Sequence, residues 1–453
     1  MSALLRQEPL VYLPFTSKIP VTRIGITGLS QAGKSTLITA VINHLENIRR
    51  GALAKQTTLS GLTHGHWLRD ATPAFDYDAG LHALTNSPPS WPNSTTDWSI
   101  ARIELSIDRP WYSTKPRRRI IELLDYPGEW LLDLCLLDWD YPTFCAQVWS
   151  WCSQAPRAAI AADLIQALAA IDPQAPVDAA YLLELQQRWA AFLADSRLPP
   201  YQLSRNLPGR FLLNGAHYHP EQQPFIPLFA LNLSSGGGAP KFPAHSWGAV
   251  CTQNYLAYRD HEAKPFFIRH FQPLDAQVIL IDLLGAMTAG SAALKDMRAA
   301  LEGVLQPFTY GTDHWLGRLF RRKIRRVAVC ATKMDHLLPD DQKRLQSLAE
   351  SYLYDTVQRL AAESIELKVM AIAAVQAARM QTEANGEQSL IGRDKRTGQA
   401  VQFTPPALPQ TMPHNLNLKI GDLPQLAPPP GLDRAHPFPG RRIDQLLAFL
   451  LAD

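Results

Sequence analysis

No apolar run reaches 18 residues anywhere in the chain, so no transmembrane helix is expected. The opening Met1–Leu10 carries one arginine and no apolar stretch long enough for a secretory signal. Five cysteines, Cys135, Cys145, Cys152, Cys251 and Cys330, are few for 453 residues, and no two stand as Cys-x-x-Cys. Buried thiols in a reducing compartment are the simplest reading of that pattern. An excess of charge of one sign is lacking as well. A net charge of +3 is too weak a bias to argue for nucleic acid or an anionic membrane. No internal repeat is visible. Together these absences predict a cytoplasmic protein, with membrane contact confined to the peripheral kind.

What is present belongs to a folded globular chain: 46% hydrophobic and 19% charged residues. The length exceeds one compact core and predicts two or three domains. Val21–Thr27 is a short β-branched run ending at a glycine. A helical pattern follows from Ser35 to about Ile48, with Leu37, Ile38, Val41, Ile42 and Leu45 on one face. Strand, glycine loop and helix open an α/β fold. Residues 51 to 98 read as polar turns. Ile100–Ile107 and Ile120–Leu124 read as strands, and residues 154 to about 205 have helical period. Residues 207 to 250 read as irregular. Val278–Leu284, Val327–Ala331 and Leu367–Ala373 are apolar runs typical of buried parallel strands. Residues 385 to 440, rich in proline and glycine, suggest an ordered strap before a short helix at Ile443–Leu451.

Gly28-Leu29-Ser30-Gln31-Ala32-Gly33-Lys34-Ser35 fits G-x-x-x-x-G-K-[ST], the P-loop pattern, and Thr36 follows it. Its backbone N–H groups cradle phosphate oxygens because the glycines permit close approach. Lys34 supplies a charge to the β- and γ-phosphates, and the Ser35 hydroxyl is a ligand for Mg²⁺. Asp125-Tyr-Pro-Gly128 follows a strand. An aspartate there can hold Mg²⁺ through water while the glycine N–H binds a γ-phosphate. Alone, D-x-x-G is a common turn, and its place after the P-loop helix makes it informative. Thr332-Lys333-Met334-Asp335, also after a strand, resembles the guanine-reading N-K-x-D with threonine for asparagine. An Asp335 carboxylate can accept from two guanine donors, a match that adenine lacks. Ala373-Ala374-Val375, after the next strand, stands where a small turn touches guanine in GTPases. Thr95 or Thr96 is the switch threonine that would close over Mg²⁺ and the γ-phosphate, with Thr95 preferred. The expected metal set is Ser35, Thr95 and Asp125.

Other clusters read as structure. His64-x-His66 and His217-x-His219 read as loop histidines, and Arg321–Arg326 as a solvated basic patch. Trp130–Leu137 is apolar enough for either core packing or a nucleotide-gated partner surface.

Spacing adds a second argument. Typical element lengths separate D-x-x-G from N-K-x-D by about 55 residues. Here Asp125 and Thr332 are 207 positions apart. The excess predicts a largely helical insertion of about 130 residues, rooted just after the D-x-x-G turn. The predicted architecture is α/β, a P-loop NTPase (GTPase-like) core with a helical insert. Residues 1–140 hold the first part of the core and 141–270 the insert. Residues 271–453 hold the second part, with the strap and terminal helix.

The chain resembles the YcjX-like family of bacterial stress-associated P-loop GTPases. The resemblance is carried by Thr27–Ser35, Pro88-Pro-Ser-Trp-Pro-Asn-Ser-Thr95, Asp125-Tyr-Pro-Gly-Glu-Trp130, Lys264–Phe271 and Val278–Gly285. It implies GTP/GDP binding with Mg²⁺, slow hydrolysis and a link to stress response. A protein partner is expected through the insert or the segment after D-x-x-G, and no nucleic acid. Two residues depart from the ordinary catalytic set of Lys34, Thr95 and Gly128. Glu129 stands where many GTPases place a water-orienting glutamine. A carboxylate beside a γ-phosphate is repelled unless protonated or turned away. Gln31 occupies a loop position that is asparagine or glycine elsewhere. No arginine finger can be assigned, and Arg49, Arg50 and Arg69 are merely near in sequence. Three readings stay open: a GTP-hydrolysing switch, a nucleotide-gated scaffold with negligible turnover, and an ATP-using P-loop enzyme.

Overall fold

The central strand β1 (Val21–Gly28) turns Ile24 and Ile26 to one face and is flanked on both sides by parallel neighbours. The computed structural model describes residues 19–29, 32–51, 59, 61–108, 117–212, 218–233, 241–305, 324–362 and 365–452. Ser30, Gln31, His217 and residues 321–323 of the basic patch lie outside them. After β1, the chain forms α1 (Lys34–Glu46), β2 (Leu62–Leu68), α2 (Tyr77–Thr85), β3 (Ser99–Ile107) and β4 (Arg117–Asp125). β5 (Ala276–Ile281), β6 (Arg326–Ala331) and β7 (Glu366–Ala371) come much later. Together these strands form a mixed, mostly parallel sheet in the order β2-β3-β4-β1-β5-β6-β7. β2, β3 and β4 pair antiparallel, and every contact from β4 through to β7 is parallel.

Strand order reverses around β1, which lies between β4 and β5. Ligands of open α/β sheets bind at the carboxyl ends of strands at such a reversal. The register brings Asp125 of β4 beside Ile26, and Leu280 of β5 beside Gly28.

Period-two alternation divides the core between the sheet faces. Ile24, Ile26, Val278, Leu280, Ala328 and Cys330 pack with α1 and the helix Ile443–Leu451. That terminal helix has nine residues, too few to persist alone in water. Ile443, Leu446, Leu447 and Leu450 bury its apolar face, at about 1.5–3 kcal/mol each, and docking therefore holds it. On the opposite face, Ile279, Ile281, Val327, Val329 and Ala331 join a large cluster with residues from between β4 and β5.

That intervening stretch is mostly helical. It holds α3 (Gly128–Leu132), a 3₁₀ turn at Asp133–Leu137, α4 (Tyr141–Cys152) and a long helix at Ala179–Ser196. Asp140 and Asp178 cap the last two by accepting backbone N–H bonds. A further helix starts at Trp247 and reaches Phe271, with wide-turn π stretches at Tyr258–Ala263 and Phe267–Phe271. Phe144, Trp189, Phe225, Tyr255 and Tyr258 fill the centre. A buried carboxylate ties this stretch to the helix Ser291–Leu305. Asp296 accepts from the Arg157 guanidinium at 2.6 and 3.0 Å, from Arg205 Nε at 2.8 Å and from the backbone N–H of Ser204 at 2.7 Å. Burial pushes this carboxyl up, but Arg157 foremost among its partners holds it below the usual range.

Several local expectations change. Residues 51 to 98 contain β2 and α2 besides turns, and His64 and His66 are exposed positions on strand β2. The predicted strand Val278–Leu284 stops at Ile281, because Asp282 caps a helix at Leu283–Ala289 by accepting from Gly285 N–H at 2.9 Å. The strap region contains most of a small antiparallel sheet, β8 (Arg379–Thr382), β9 (Gln388–Arg393) and β10 (Ala400–Phe403). In Trp130–Leu137, Trp130, Leu131, Leu132, Leu134, Leu136 and Leu137 are all buried, so this segment is core. Among the described residues, no helix is long and apolar enough to cross a membrane.

Candidate nucleotide-binding site

β1 runs into α1 through a turn whose last residue, Gly33, has φ 82°, a left-handed conformation that glycine adopts without strain. The loop's ends are pinned. Leu29 N–H donates to Leu280 O at 2.9 Å, and Leu29 and Ala32 are buried on opposite faces of the sheet. α1 begins with no side-chain cap and no acidic residue in its first turn. Its leading N–H groups and the dipole therefore favour an anion there.

Lys34, Ser35, Thr95 and Asp125 meet at this point. The Lys34 ammonium donates to Asp125 Oδ1 and to Thr95 Oγ1. Thr95 Oγ1 donates to Asp125 Oδ2 at 2.9 Å and lies 3.2 Å from Ser35 Oγ, which donates to Asn93 O at 3.0 Å. Thr96, the alternative threonine, is exposed. Asp125 is only 2% exposed, so its charge depends on partners. Burial raises the Asp125 carboxyl and the Lys34 charge opposes it, while burial lowers the Lys34 ammonium and Asp125 opposes that.

The donor set fits Mg²⁺. Ser35, Thr95 and Asp125 present only hard oxygens, and adjacent ligands of an octahedral ion at 2.0–2.1 Å stand about 2.9 Å apart. Ser35 Oγ and Thr95 Oγ1, 3.2 Å apart, stand near that spacing, with Asp125 behind Thr95 as a carboxylate that would reach the ion through water. Among the described residues, no group of three or more His, Cys, Asp and Glu side chains could hold a metal. A set built on Ser35 and Thr95 would supply hydroxyls and need only one carboxylate.

The D-x-x-G turn touches the loop directly. A Cβ on Gly128 would lie 1.7 Å from Gly28 O, so only glycine fits. Tyr126 is anchored behind it. Its ring packs edge-on to Phe266 and Phe271, and its hydroxyl accepts from Gln277 Nε2 at 3.0 Å. On the far side a Cβ on Gly209 would lie 1.9 Å from Glu129 O. Asp133 Oδ1 accepts Gly209 N–H at 2.7 Å, and Arg210 lies 4.3 Å from the Trp130 ring centroid. Glu129 Oε1 accepts from Arg197 Nη1 at 2.6 Å.

The second group of residues gathers at the ends of β5, β6 and β7. Thr332 turns back onto β5, its N–H and hydroxyl both donating to Ile281 O. Lys333 has φ 62° and pairs with Asp282 at 2.5 Å. Burial opposes ionisation of Asp282, but Lys333 holds its carboxyl below the usual range. Asp335 is 3% exposed, and its Oδ2 accepts the N–H groups of Ala377 at 2.7 Å and Ala378 at 3.3 Å. The carboxylate therefore does not stand open as a two-oxygen fork, and Oδ1 carries most of what it has left to offer. Ala373 forms a bridge with Arg441, just after the strap, and Val375 is buried beside Ala40, Leu84 and Phe438. Ala374 O lies 3.1 Å from where a Cβ on Gly440 would fall. The strap also grips α1: Asn43 Oδ1 accepts Phe438 N–H at 2.8 Å.

The three sequence-adjacent arginines stand elsewhere. Arg49 and Arg50 follow the far end of α1, roughly 20 Å along the helix from Lys34. Arg69 pairs with Asp78. Sequence reasoning missed Arg197, Gly209, Asp282, Ala377 and Ala378. For Asp282 a signal existed, since an aspartate closing an apolar strand ahead of Gly285 is a helix cap. Arg197 and Gly209 lie 68 and 80 residues from Glu129, and nothing local marks them.

Over residues 22–453 the chain matches the model of the YcjX-like family, DUF463. It is 30% identical over 447 residues to the Ras-like GTPase YcjX of Escherichia coli (strain K12), covering 95% of each chain. It is 28% identical over 470 residues to the Ras-like GTPase YcjX of Shewanella oneidensis, covering 95% of this chain and 94% of that one. The chain belongs to the YcjX-like family.

Proposed function

We propose that the protein is a Mg²⁺-dependent switch that binds GTP and slowly hydrolyses it, built as a P-loop core with a helical insert. The observation that carries this reading is the meeting of Lys34, Ser35, Thr95 and Asp125 at the strand-order reversal. Ser35, Thr95 and Asp125 would hold Mg²⁺, which when bound neutralises phosphate charge. Lys34 exchanges the Asp125 carboxylate for phosphate oxygens. Gly28–Ser35 hold the chain of phosphates, the Gly128 N–H meets the γ-phosphate, and Thr95 closes over it. In hydrolysis a water oxygen bonds to the γ-phosphorus as the bond to the β–γ bridging oxygen breaks, releasing GDP and phosphate. Asp335, with Thr332, Lys333 and the turn Ala373–Val375, reads the base. The GTPase names of the relatives support the guanine assignment. The switch works in the cytoplasm in a stress response, engaging a protein partner through the insert.

One substitution tests the base assignment. In Asp335→Asn the amide oxygen takes the Ala377 and Ala378 N–H groups and turns the NH₂ toward the base. That donor suits a carbonyl at the 2-position of xanthine and opposes the amino group of guanine. Binding competition should show the wild type preferring GTP over ATP and over XTP. The variant should lose GTP affinity by at least about tenfold and gain XTP. A wild type that prefers ATP would remove the guanine assignment.

The Glu129–Arg197 ion pair favours a second reading, a nucleotide-gated scaffold with negligible turnover, because it replaces a water-orienting glutamine with an occupied carboxylate. A burst of phosphate in single-turnover assays excludes it.

A further inference from the structure

Glu129 is placed where its charge should oppose the nucleotide. It directly follows Gly128, whose backbone lies against Gly28, and its field reaches Lys34. A γ-phosphate beside this carboxylate is repelled unless another charge intervenes. The intervening charge is in place. Arg197, which closes the C-terminal end of the helix Ala179–Ser196, reaches Glu129 Oε1 at 2.6 Å. The side chains are 23% and 13% exposed, so solvent screens this pair less than a surface pair. The backbone cannot easily carry Glu129 away, because Gly128 abuts Gly28 on one side and Gly209 abuts Glu129 O on the other.

We propose that Arg197 is a positioning residue that neutralises Glu129 and thereby sets how strongly the site prefers GTP over GDP. The inference rests on the guanine-nucleotide reading above. Its logic is electrostatic. GDP lacks the γ-phosphate and is little affected by the charge of Glu129. GTP places additional negative charge next to it. Removing Arg197 leaves one uncompensated charge near the γ-phosphate, and removing the Glu129 charge makes Arg197 a net attraction for it. The helical stretch thus contributes an arginine to the site through Glu129.

The test measures affinities for GDP and for a non-hydrolysable GTP analogue, with Mg²⁺, on the full chain. In Arg197→Ala the analogue should weaken about tenfold relative to GDP, the scale of one partly screened charge. Adding Glu129→Gln should restore the ratio, and Arg197→Lys should keep it near wild type. Glu129→Gln alone, with Arg197 present, should raise the preference for the analogue. A merely structural role would weaken both ligands together and would not respond to Glu129→Gln. The proposal is overturned if the ratio in Arg197→Ala equals wild type, or if Glu129→Gln fails to restore it. Should Arg197→Ala not fold, an unchanged ratio in Glu129→Gln alone overturns it. A wild type that binds neither nucleotide removes the underlying reading as well, whereas normal wild-type binding with an unmoved ratio removes this inference alone.

Discussion

Lys34→Ala should abolish guanine-nucleotide binding, weakening it by about a thousandfold or more. Lys34 is assigned two tasks, and each has a measurable cost. With nucleotide it faces phosphate oxygens in a water-poor site, where a charge-assisted contact is strong. Without nucleotide it is the cation that compensates Asp125, which is 2% exposed. Taking one partner from a buried pair costs about 3–5 kcal/mol, because the remaining charge is left unpaired. The variant should therefore be less stable as well as unable to bind. Burial already raises the Asp125 carboxyl, and the loss of Lys34 pushes it further toward the neutral form. The double variant Lys34→Ala/Asp125→Asn separates the two tasks. It should regain most of the lost stability in thermal unfolding and still fail to bind GTP in titration calorimetry. Wild-type GTP affinity in Lys34→Ala would show that the site has been assigned to the wrong residues.

Gly128→Ala should be nearly as damaging. The added methyl falls 1.7 Å from Gly28 O and 2.6 Å from Gly28 C. Both are backbone atoms of the loop itself, so no flexible side chain can yield. Overpacking in a tight core usually costs about 1–3 kcal/mol. Here relief requires moving β1 or the D-x-x-G turn, which places the loss at the top of that range, about 3 kcal/mol. Nucleotide affinity should fall together with stability, because whichever segment moves carries site atoms. Gly209→Ala meets Glu129 O at 1.9 Å and should behave similarly from the helical side. Gly303 serves as the control. It lies in the helix Ser291–Leu305, and its Cβ would meet nothing within 4 Å. Gly303→Ala should leave binding unchanged and stabilise slightly, by up to about 1 kcal/mol. If Gly128→Ala unfolds and binds like Gly303→Ala, the close packing of loop and turn has no energetic weight.

Much of the fold was legible because it is local. β1, α1, β3, β4 and the terminal helix Ile443–Leu451 follow from periodicity within each segment, and each appears within a few residues of its expected place. β2 was hidden: His64 and His66 alternate outward on an edge pair, and with Thr63 and Gly65 they look like a polar turn. The same limit applies to the site. Lys34, Ser35 and Asp125 are announced by motifs, and the structure draws them together with Thr95. The partner of Glu129 is Arg197, and the groups that hold Asp335 are the N–H groups of Ala377 and Ala378. Backbone donors leave no residue signature, and a single arginine 68 positions away is one of many. The length of chain between Asp125 and Thr332 pointed to a helical region. Only packing shows that Trp130–Leu137 is the segment by which that region grips the D-x-x-G turn.

The presence of a γ-phosphate should be felt in the helical stretch through Gly128, Glu129 and Gly209. Amide hydrogen exchange in the GDP-bound and non-hydrolysable GTP-analogue-bound states tests it most directly. Residues 93–99, 128–137 and 204–212 should change protection together between the two states, with the Gly209 amide, held by Asp133, among the responders. A change confined to residues 93–99 and the P-loop, with 128–137 and 204–212 identical in both states, would mean that the γ-phosphate is not sensed beyond the loop.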